Sequence, residues 1–398
     1  MTKLEQLIKE LCPNGVKYVA IKDYFTRLKG TPITAGKMKE IESPDGEIRI
    51  FAGGKTVINA HEKDIPNANI TRVPAVLVQS RGVIDFIYYE KPFTFKNEMW
   101  AYTAENKITV KYLYYFLQNN TQHFRDSASG MGALPQISLH VTEDFKIPVP
   151  PIEIQVEIVK ILDNFTELTA ELTAELTARK KQYEYYRDLL LDFGVHGGAS
   201  ECEWRTLGKI ADLLSGFPFD SRQFSGAGIR LMRGMNIKRG FLDFSESNNR
   251  YWASDEGLEK YRLHNDDIVI AMDGSLVGKS FGLVSEEQLP LLLVQRVTRI
   301  RAKENADNRY IYYCITSAFP SYVDSQKTEG AVPHISLKDI SNFKIPFPPI
   351  EEQRRIASIL DRFDKLCNDI SEGLPAEIEA RRKQYVYYRD KLLSFNEA

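Results

Sequence analysis

Hydrophobic residues recur at helical spacing along one long stretch of the chain. After Pro150-Pro151, apolar positions return every three or four residues over 158–190, which is the period of an amphipathic α-helix with one buried face. No glycine or proline lies between Ile152 and Phe193. The pattern therefore predicts a single helix of about 42 residues, roughly 60 Å long at about 1.5 Å per residue.

A helix of this length needs a second helix to cover its apolar stripe. The sequence offers the similar stretch from Ile350 to Phe395, which follows another proline pair, Pro348-Pro349. Gly373 and Pro375 interrupt that stretch, so we expect a kink or a break there.

The chain repeats itself, because three segments recur in the same order in both halves. These segments are Gly132–Leu139 with Gly330–Leu337, Phe145–Gln155 with Phe343–Gln353, and Arg179–Asp188 with Arg381–Asp390. The first two pairs are 198 residues apart (330 − 132) and the third is 202 apart (381 − 179), so the second copy carries four extra residues. One structural unit is therefore present twice.

Between the repeated segments, residues 26–110 and 212–308 show no convincing internal alignment and have mixed patterns. Predicted strands are Glu47–Phe51, Ala75–Gln79, Ile268–Ala271 and Val297–Arg301, and predicted helices are Lys111–Asn119 and Arg309–Ser317. The expected fold class is α+β, with two globular mixed α/β domains separated by two long helices packed as an antiparallel coiled coil, in a pseudo-two-fold internal repeat. The expected boundaries are 1–150, 151–196, 197–349 and 350–398.

The first long helix contains a four-residue repeat, Thr169–Leu172 followed by Thr173–Leu176. Four residues are close to one helical turn, so each unit adds about 6 Å while rotating the leucine stripe by only about 40°. Adding or removing a unit would change the length of the helix with little change in the face it presents. A composition rich in Ala, Glu and Leu is also simply favourable for a helix, and the two interpretations are compatible.

Composition and charge exclude several classes of protein. The 398 residues suggest two or three domains, and no apolar run reaches the roughly 18 residues that span a bilayer. The start lacks the apolar core of a signal peptide. Four widely spaced cysteines argue against a zinc site or a disulfide scaffold and favour a reducing cytoplasm. Because the net charge is −2, any surface for nucleic acid must be a local patch.

No catalytic constellation is recognisable. Asp273–Ser280 resembles a phosphate-binding loop but has one residue too few between its glycines. The six histidines show no metal-ligand spacing, and there is no nucleophile elbow. The tetrapeptide with which amino-methyltransferases hold a target base is also missing. We therefore expect a chain that is not an enzyme and holds no cofactor.

The segment Arg230–Arg239 contains four cations and an asparagine but no acid. Lysine and arginine neutralise phosphates, and arginine and asparagine read base edges in the major groove; the alternative is an ordinary solvated loop. Candidate DNA contacts are Lys55, Gln79, Ser80, Arg81, Lys96 and Asn97 in the first half, and Arg230, Arg233, Asn236, Lys238, Arg239, Ser275, Lys279 and Arg296 in the second.

Tyrosines cluster at 183–186 and 385–388, beside the leucine stripe. They could stack on bases, but at helical spacing they favour a protein–protein interface. Candidate partner contacts are Gln155, Tyr183, Tyr186, Arg187, Gln353, Tyr385, Tyr388 and Arg389.

The duplicated P-P-I-E-x-Q helices, the R-K-Q-Y-x-Y-Y-R-D segment and the T-A-E-L repeat resemble the specificity subunit of type I restriction-modification systems, in the subgroup with a T-A-E-L spacer. The resemblance implies that each globular domain is a target-recognition domain for one half of a split double-stranded DNA site. It implies that the helices set the spacer and dock two modification (methyltransferase) subunits, which bind S-adenosylmethionine. Restriction subunits, with ATP and Mg, would join that complex.

Geometry agrees with a split target. Two readers on one face of B-DNA favour centres about one helical turn apart, roughly 10 bp. If each reads about 3–4 bp, about 6–8 bp remain unread between them, and dissimilar readers make the site asymmetric. Two rival hypotheses are a protein-interaction scaffold with two pseudo-equivalent partner sites and no DNA, and an enzyme with an unrecognised site.

Overall fold

The computed structural model describes residues 3–54, 56–129, 134–193, 202–274, 276–326, 334–368 and 373–398. The chain divides into two compact units: unit 1 comprises residues 1–173 and 377–398, and unit 2 comprises residues 174–376. Unit 1 thus contains both ends of the chain, whereas unit 2 is one continuous segment. Among the described helices, none is long and apolar enough to cross a membrane.

The globular part of unit 1 contains two main β-sheets, a separate pair of strands, and helices packed against both main sheets. Its elements are α1 (Lys3–Leu11), β1 (Tyr18–Ala20), α2 (Ile21–Tyr24), β2 (Thr26–Lys29), α3 (Ala35–Ile41), β3 (Ile48–Phe51), β4 (Val57–Ala60), β5 (Ala75–Gln79), β6 (Asp85–Tyr89), β7 (Phe93–Phe95), β8 (Trp100–Thr103), α4 (Lys107–Asn119), α5 (Thr121–Asp126), α6 (Leu139–Glu143) and β9 (Lys146–Pro148). The larger sheet has the order β2-β8-β5-β6, the smaller one the order β4-β3-β7, and β1 pairs with β9.

Unit 2 repeats this topology. Its elements are β10 (Trp204–Thr206), α8 (Leu207–Ile210), β11 (Ala211–Ser215), β12 (Ile229–Met232), β13 (Tyr251–Trp252), β14 (Ile268–Ala271), β15 (Phe281–Leu283), β16 (Leu291–Leu293), β17 (Val297–Ala302), α9 (Asn308–Gln326), α10 (Leu337–Asn342), β18 (Lys344–Pro346) and α11 (Ile350–Asn368). The sheets have the orders β11-β17-β14-β15 and β13-β12-β16, and β10 pairs with β18. The pairs β3–β7 and β12–β16 are parallel, and the other paired strands are antiparallel. The predicted α+β class and internal repeat are confirmed.

A central strand in each unit is buried on both faces. In β5, Val76 and Val78 belong to the cluster that contains the residues of α4, whereas Leu77 packs with the aromatic residues of β7. In β14, Ile268 and Val269 divide between two clusters in the same way. Alternate side chains of one strand therefore face a helix and a second sheet, which explains the unbroken apolar runs that predicted both strands.

One glycine in each unit allows a close approach between strands. A Cβ atom on Gly30 would lie 2.2 Å from the carbonyl oxygen of Phe95, and one on Gly216 would lie 2.2 Å from that of Val294. Both contacts are well inside van der Waals distance, so only glycine fits. The two glycines hold equivalent places after β2 and β11, although the sequences around them do not align.

The long helix predicted after Pro150-Pro151 is confirmed as α7 (Ile152–Leu191), 40 residues long. The second stretch consists of two helices, α11 and α12 (Leu374–Leu392), with Pro375 in the first turn of α12. The interruption predicted at Gly373 and Pro375 is therefore present. Proline is tolerated there because the first-turn amide has no helical acceptor.

The first turns of α7 and α11 form part of the globular cores. Ile154, Ile158 and Leu162 of α7 belong to the same buried cluster as the residues of α4 and β5. Ile356 and Leu360 of α11 are likewise buried with α9 and β14. Each long helix therefore begins inside the domain that precedes it, and its direction is fixed by that domain's core.

A polar contact supports each of these helices. Tyr115 donates its hydroxyl hydrogen bond to Asp163, and Lys111 forms a 2.8 Å ion pair with the same carboxylate. Burial raises the pKa of Tyr115 above its ordinary value, which keeps the phenol a donor. In unit 2, Tyr313 donates to Asp361 at 2.6 Å.

The helices pack against each other within each unit through stacked rings. In unit 1, Phe165 of α7 stacks on Tyr388 of α12, with ring centroids 5.6 Å apart. In unit 2, Tyr186 of α7 stacks on Phe363 of α11 at 5.9 Å. The early part of α7 thus meets the late helix and its late part meets the earlier one, which is the order of the predicted antiparallel packing.

The four-residue repeat has a local structural basis. The hydroxyl of Thr169 donates to the carbonyl of Phe165 at 2.8 Å, and that of Thr173 donates to the carbonyl of Thr169 at 2.7 Å. Each threonine therefore bonds back over one helical turn. Leu172 is buried between exposed neighbours, so each repeat contributes one residue to the apolar stripe.

Two equivalent glutamines allow a matched test of these helix starts. We expect Gln353→Leu to lower the free energy of unfolding by about 2 kcal/mol and Gln155→Leu by about 1 kcal/mol. Buried Gln353 donates to the carbonyls of Asn305 and Pro348 and accepts from the Asp307 amide. Gln155 donates only to the Pro150 carbonyl, and its own carbonyl oxygen has no partner among the described residues. Denaturant unfolding of both variants measures the difference. Equal losses of unfolding free energy would contradict the idea that Gln353 is held by more hydrogen bonds than Gln155.

Candidate functional site

Exposed polar residues converge where the central strand of unit 1 ends. Arg81 follows β5, and Gln136 pairs with it as an isolated antiparallel bridge. The turn before β8 adds exposed Asn97 and an ion pair of 2.8 Å between Lys96 and Glu98. We call Arg81, Lys96, Asn97, Glu98 and Gln136 the strand-end cluster of unit 1.

The predicted contacts Gln79 and Ser80 lie beneath this cluster. Gln79 is buried and donates its amide hydrogen bond to the carbonyl of Gly54 at 2.6 Å. Ser80 is 1% exposed and donates to the Glu98 carbonyl at 3.1 Å. Both side chains hold the loops together rather than face solvent. Lys55 lies outside the described residues.

Unit 2 has an equivalent strand-end cluster formed by Asp273, Arg296 and His334. Asp273 follows β14, shares a hydrogen bond with the ring of His334, and lies 3.4 Å from the Arg296 guanidinium. The side chains of His334 and Arg296 are 44% and 64% exposed, so the cluster faces solvent. The predicted contact Ser275 lies outside the described residues. Lys279, which precedes β15, lies 3.8 Å from Asp324.

The basic segment Arg230–Arg239 is used largely inside unit 2. Arg230 donates to the carbonyl of Gln288 at 2.9 Å, and Arg233 donates to that of Asn248 at 2.8 Å. Burial also lowers the pKa of Arg233 from its ordinary value. These two guanidinium groups fix loops and are only partly available to a ligand.

Asn236 is fully buried in a short 3₁₀ turn. Its side-chain oxygen accepts from the amide of Arg233 at 3.1 Å, and its nitrogen donates to the carbonyl of Asp243 at 2.9 Å. From the same segment, Arg239 is exposed, whereas Lys238 is half-buried and 3.8 Å from Asp243. Charge counting alone could not separate the buried residues from the exposed ones.

The predicted partner contacts are mostly engaged within the chain. Gln155 and Gln353 are buried at the helix starts. Tyr183 and Tyr385 are half-buried, and desolvation raises the pKa of both. Ring-to-cation contacts continue this packing: the guanidinium of Arg187 lies 5.9 Å from the ring centroid of Tyr183, and that of Arg389 lies 5.5 Å from the ring centroid of Tyr385. Of the predicted tyrosines, Tyr186 is 38% exposed and Tyr388 is 42% exposed.

The most exposed rings of the two tyrosine clusters were not among the predicted contacts. Tyr185 is 64% exposed and Tyr387 is 63% exposed, and they occupy equivalent positions in the repeat. Leu189 and Val386 add exposed apolar area beside them. The signal was present in the sequence, because a residue between two stripe positions of a helix must point away from the stripe.

Unit 1 also has an apolar groove of about 440 Å³ between α1, α7 and α12. Its floor contains Leu4, Ile8 and Phe165, and Arg381 and Lys391 lie at its rim. Within the described part of the chain, no group of three or more His, Cys, Asp or Glu side chains could hold a metal ion.

Comparison with known proteins supports the interpretation of this repeat. A family model described as the type I restriction modification DNA specificity domain matches residues 13–179 and 201–380. The chain is 35% identical over 413 residues to the EcoR124I/EcoR124II specificity subunit of Escherichia coli, covering 99% of this chain and 92% of that relative. It is 27% identical over 317 residues to the MjaVIII specificity subunit of Methanocaldococcus jannaschii, covering 75% and 73%.

The fold is also known. The crystal structure of a type I restriction-modification S subunit from M. genitalium matches with a TM-score of 0.65 at 16% identity, covering 96% of this chain and 97% of that one. The repeated two-sheet fold of this chain is therefore one that a solved S subunit also adopts. The chain belongs to the family of type I restriction-modification specificity subunits.

The buried and exposed residues of the basic segment give a matched prediction. Asn236→Ala should cost about 2–3 kcal/mol of folding free energy, because it removes buried hydrogen bonds and leaves their partners unsatisfied. Arg239→Ala should stay within about 0.5 kcal/mol, because its side chain is exposed. Thermal unfolding of each variant measures the two effects; an Arg239→Ala loss as large as that of Asn236→Ala would show that the whole segment is structural.

Proposed function

We propose that each unit of this chain reads one half of an asymmetric, bipartite double-stranded DNA site. The observation that supports this most strongly is the repeated fold with unlike strand-end clusters. The same strands and turns carry Arg81, Glu98 and Gln136 in one unit and Asp273, Arg296 and His334 in the other. A shared scaffold with different polar groups is what two different half-sites require.

The long helices set the unread gap between the half-sites in this proposal. Because α7 and α11 begin inside the globular cores, the direction of each helix is tied to the reader that precedes it. The paired helices then act as a spacer, and the threonine repeat within α7 adjusts its length. The length of the paired helices thereby determines the number of unread base pairs between the half-sites.

The helices also dock two modification (methyltransferase) subunits. Exposed Tyr185 and Tyr387, at equivalent positions in the repeat, provide one pseudo-equivalent patch in each unit. Aromatic residues of this exposure are typical anchors of protein interfaces. The apolar groove of unit 1, lined by Leu4, Ile8 and Phe165, provides a further surface for an apolar partner segment.

The partner subunits carry out methylation and cleavage in this proposal. The chain itself is a non-catalytic reader, the methyltransferase subunits bind S-adenosylmethionine, and restriction subunits use ATP and Mg. Such an assembly acts on genomic DNA in the cytoplasm. An exposed cation such as Arg239 suits a contact with phosphate, which positions a reader without specifying bases.

Exchanging residues 26–110 for the corresponding segment of a relative with a different target tests modular reading. The hybrid, assembled with its methyltransferase subunits, should change the bases of one half-site only, because the exchanged strands and turns lie within unit 1. Sequencing of adenine methylation in cells that carry each version reports the target.

The matched control exchanges residues 212–308 instead and should change only the other half-site. Changes in both halves from either exchange would contradict modular reading. Normal assembly without sequence-specific methylation by the parent chain would favour the protein-interaction scaffold over a DNA reader.

A further inference from the structure

We infer that one residue in the repeated segment Gly132–Leu139, and its counterpart in Gly330–Leu337, determines specificity. This residue lies between the proline and the isoleucine of the segment. It is Gln136 in unit 1 and His334 in unit 2. Each reads its half-site together with two neighbouring charges: Arg81 and Glu98 in unit 1, Asp273 and Arg296 in unit 2. The inference rests on the proposed function and names the side chains that perform it.

The repeated segment is attached to the central strand in the same way in both units. The Ile137 amide donates to the Ser80 carbonyl at 2.9 Å, and the Ile335 amide donates to the Met272 carbonyl at 2.9 Å. Because both isoleucines are almost fully buried, each anchors its segment and leaves the preceding residue at the surface. Gln136 and His334 are both exposed.

The next residue of each central strand faces that exposed position. Arg81 forms an isolated bridge with Gln136, and Asp273 forms one with His334. A glycine with positive φ follows in both units, Gly82 at 79° and Gly274 at 107°. The chain therefore turns away directly after the charged residue and leaves its side chain at the edge of the sheet.

The second charge comes from the turn before the neighbouring strand. The Glu98 carbonyl accepts from the hydroxyl of Ser80 at 3.1 Å, and the Arg296 carbonyl accepts from the amide of Met272 at 2.9 Å. Ser80 and Met272 are the same residues that bind the repeated segment. Glu98 and Arg296 therefore occupy equivalent positions. Arg296 lies 3.4 Å from Asp273, whereas Glu98 forms its ion pair with Lys96 of the same turn.

The signs of the two charges are inverted between the units. Unit 1 has a cation after β5 and an acid in the turn, whereas unit 2 has an acid after β14 and a cation in the turn. Arginine pairs with guanine acceptors, glutamine with adenine, and a carboxylate with the amino group of cytosine. The two strand-end clusters place donors and acceptors at exchanged positions, so they favour different bases.

Backbone geometry supports a functional role for Arg296. Its φ is 69°, in the left-handed region that a non-glycine residue adopts at some cost in energy. The side chain is 64% exposed and only 3.4 Å from Asp273. A costly backbone conformation that places an exposed cation beside an acid, which itself binds an exposed imidazole, is better explained by recognition than by folding.

The test compares Gln136→Ala and His334→Ala in the complete complex with the methyltransferase partner. Affinity is measured for the cognate duplex and for duplexes with each base pair of either half-site substituted singly. In the parent, each correct base pair should favour the cognate by roughly tenfold or more. Gln136→Ala should lose that preference at one or two base pairs of a single half-site, and His334→Ala should lose it in the other half.

Exposed residues on the helices that follow serve as matched controls. His140→Ala on α6 and Lys338→Ala on α10 should leave every preference ratio unchanged, because neither side chain lies in a strand-end cluster. Gln136→Glu keeps the shape of the side chain while replacing donors by acceptors, so it should change the preferred base even if the alanine variant fails to assemble.

The outcomes separate the inference from the function on which it rests. Unaltered ratios in Gln136→Ala and Gln136→Glu, or in His334→Ala, with a discriminating parent would overturn the inference alone. Loss of preference in both half-sites from a single substitution would also overturn it. A parent complex that does not discriminate in either half would overturn the proposed function itself.

Discussion

The structure depends on the burial of the first turns of each spacer helix in the core of its own domain. Ile158 of α7 and Ile356 of α11 are both fully buried with strands and helices of the globular parts. The Tyr115–Asp163 and Tyr313–Asp361 hydrogen bonds add direction to this apolar contact. Without it, a reading domain would be joined to its helix only by a flexible connection, and helix length would not define a distance.

Around that constraint, each unit separates folding from recognition. The apolar faces of β5 and β14 pack between a helix and a second sheet, so the interior tolerates little variation. Arg81 and Asp273, two residues beyond those strands, are not constrained by this packing and differ in charge between the units. The same scaffold can therefore carry unlike surfaces, which is the physical basis for an asymmetric target.

The sequence predicted those elements whose apolar residues recur with a regular period. The helix Ile152–Leu191 and the doubly buried strands follow from long, regular apolar patterns. It could not predict the equivalence of 26–110 with 212–308, because strands with dissimilar side chains can form the same backbone hydrogen-bond pattern. Nor could it show that Asn236 is buried while Arg239 is exposed, because three-dimensional contacts decide which polar groups become internal.

If a stiff helix pair converts its own length into DNA distance, inserting one Thr-Ala-Glu-Leu unit after Leu176 should move the two half-sites apart. The added length of about 6 Å should widen the unread gap by one or two base pairs at 3.4 Å each. Thr173→Ala, which keeps the length of the helix, serves as the control. Methylation mapping should then show both half-sites unchanged but farther apart. An unchanged gap would show that the length of the helices does not set the distance between the half-sites.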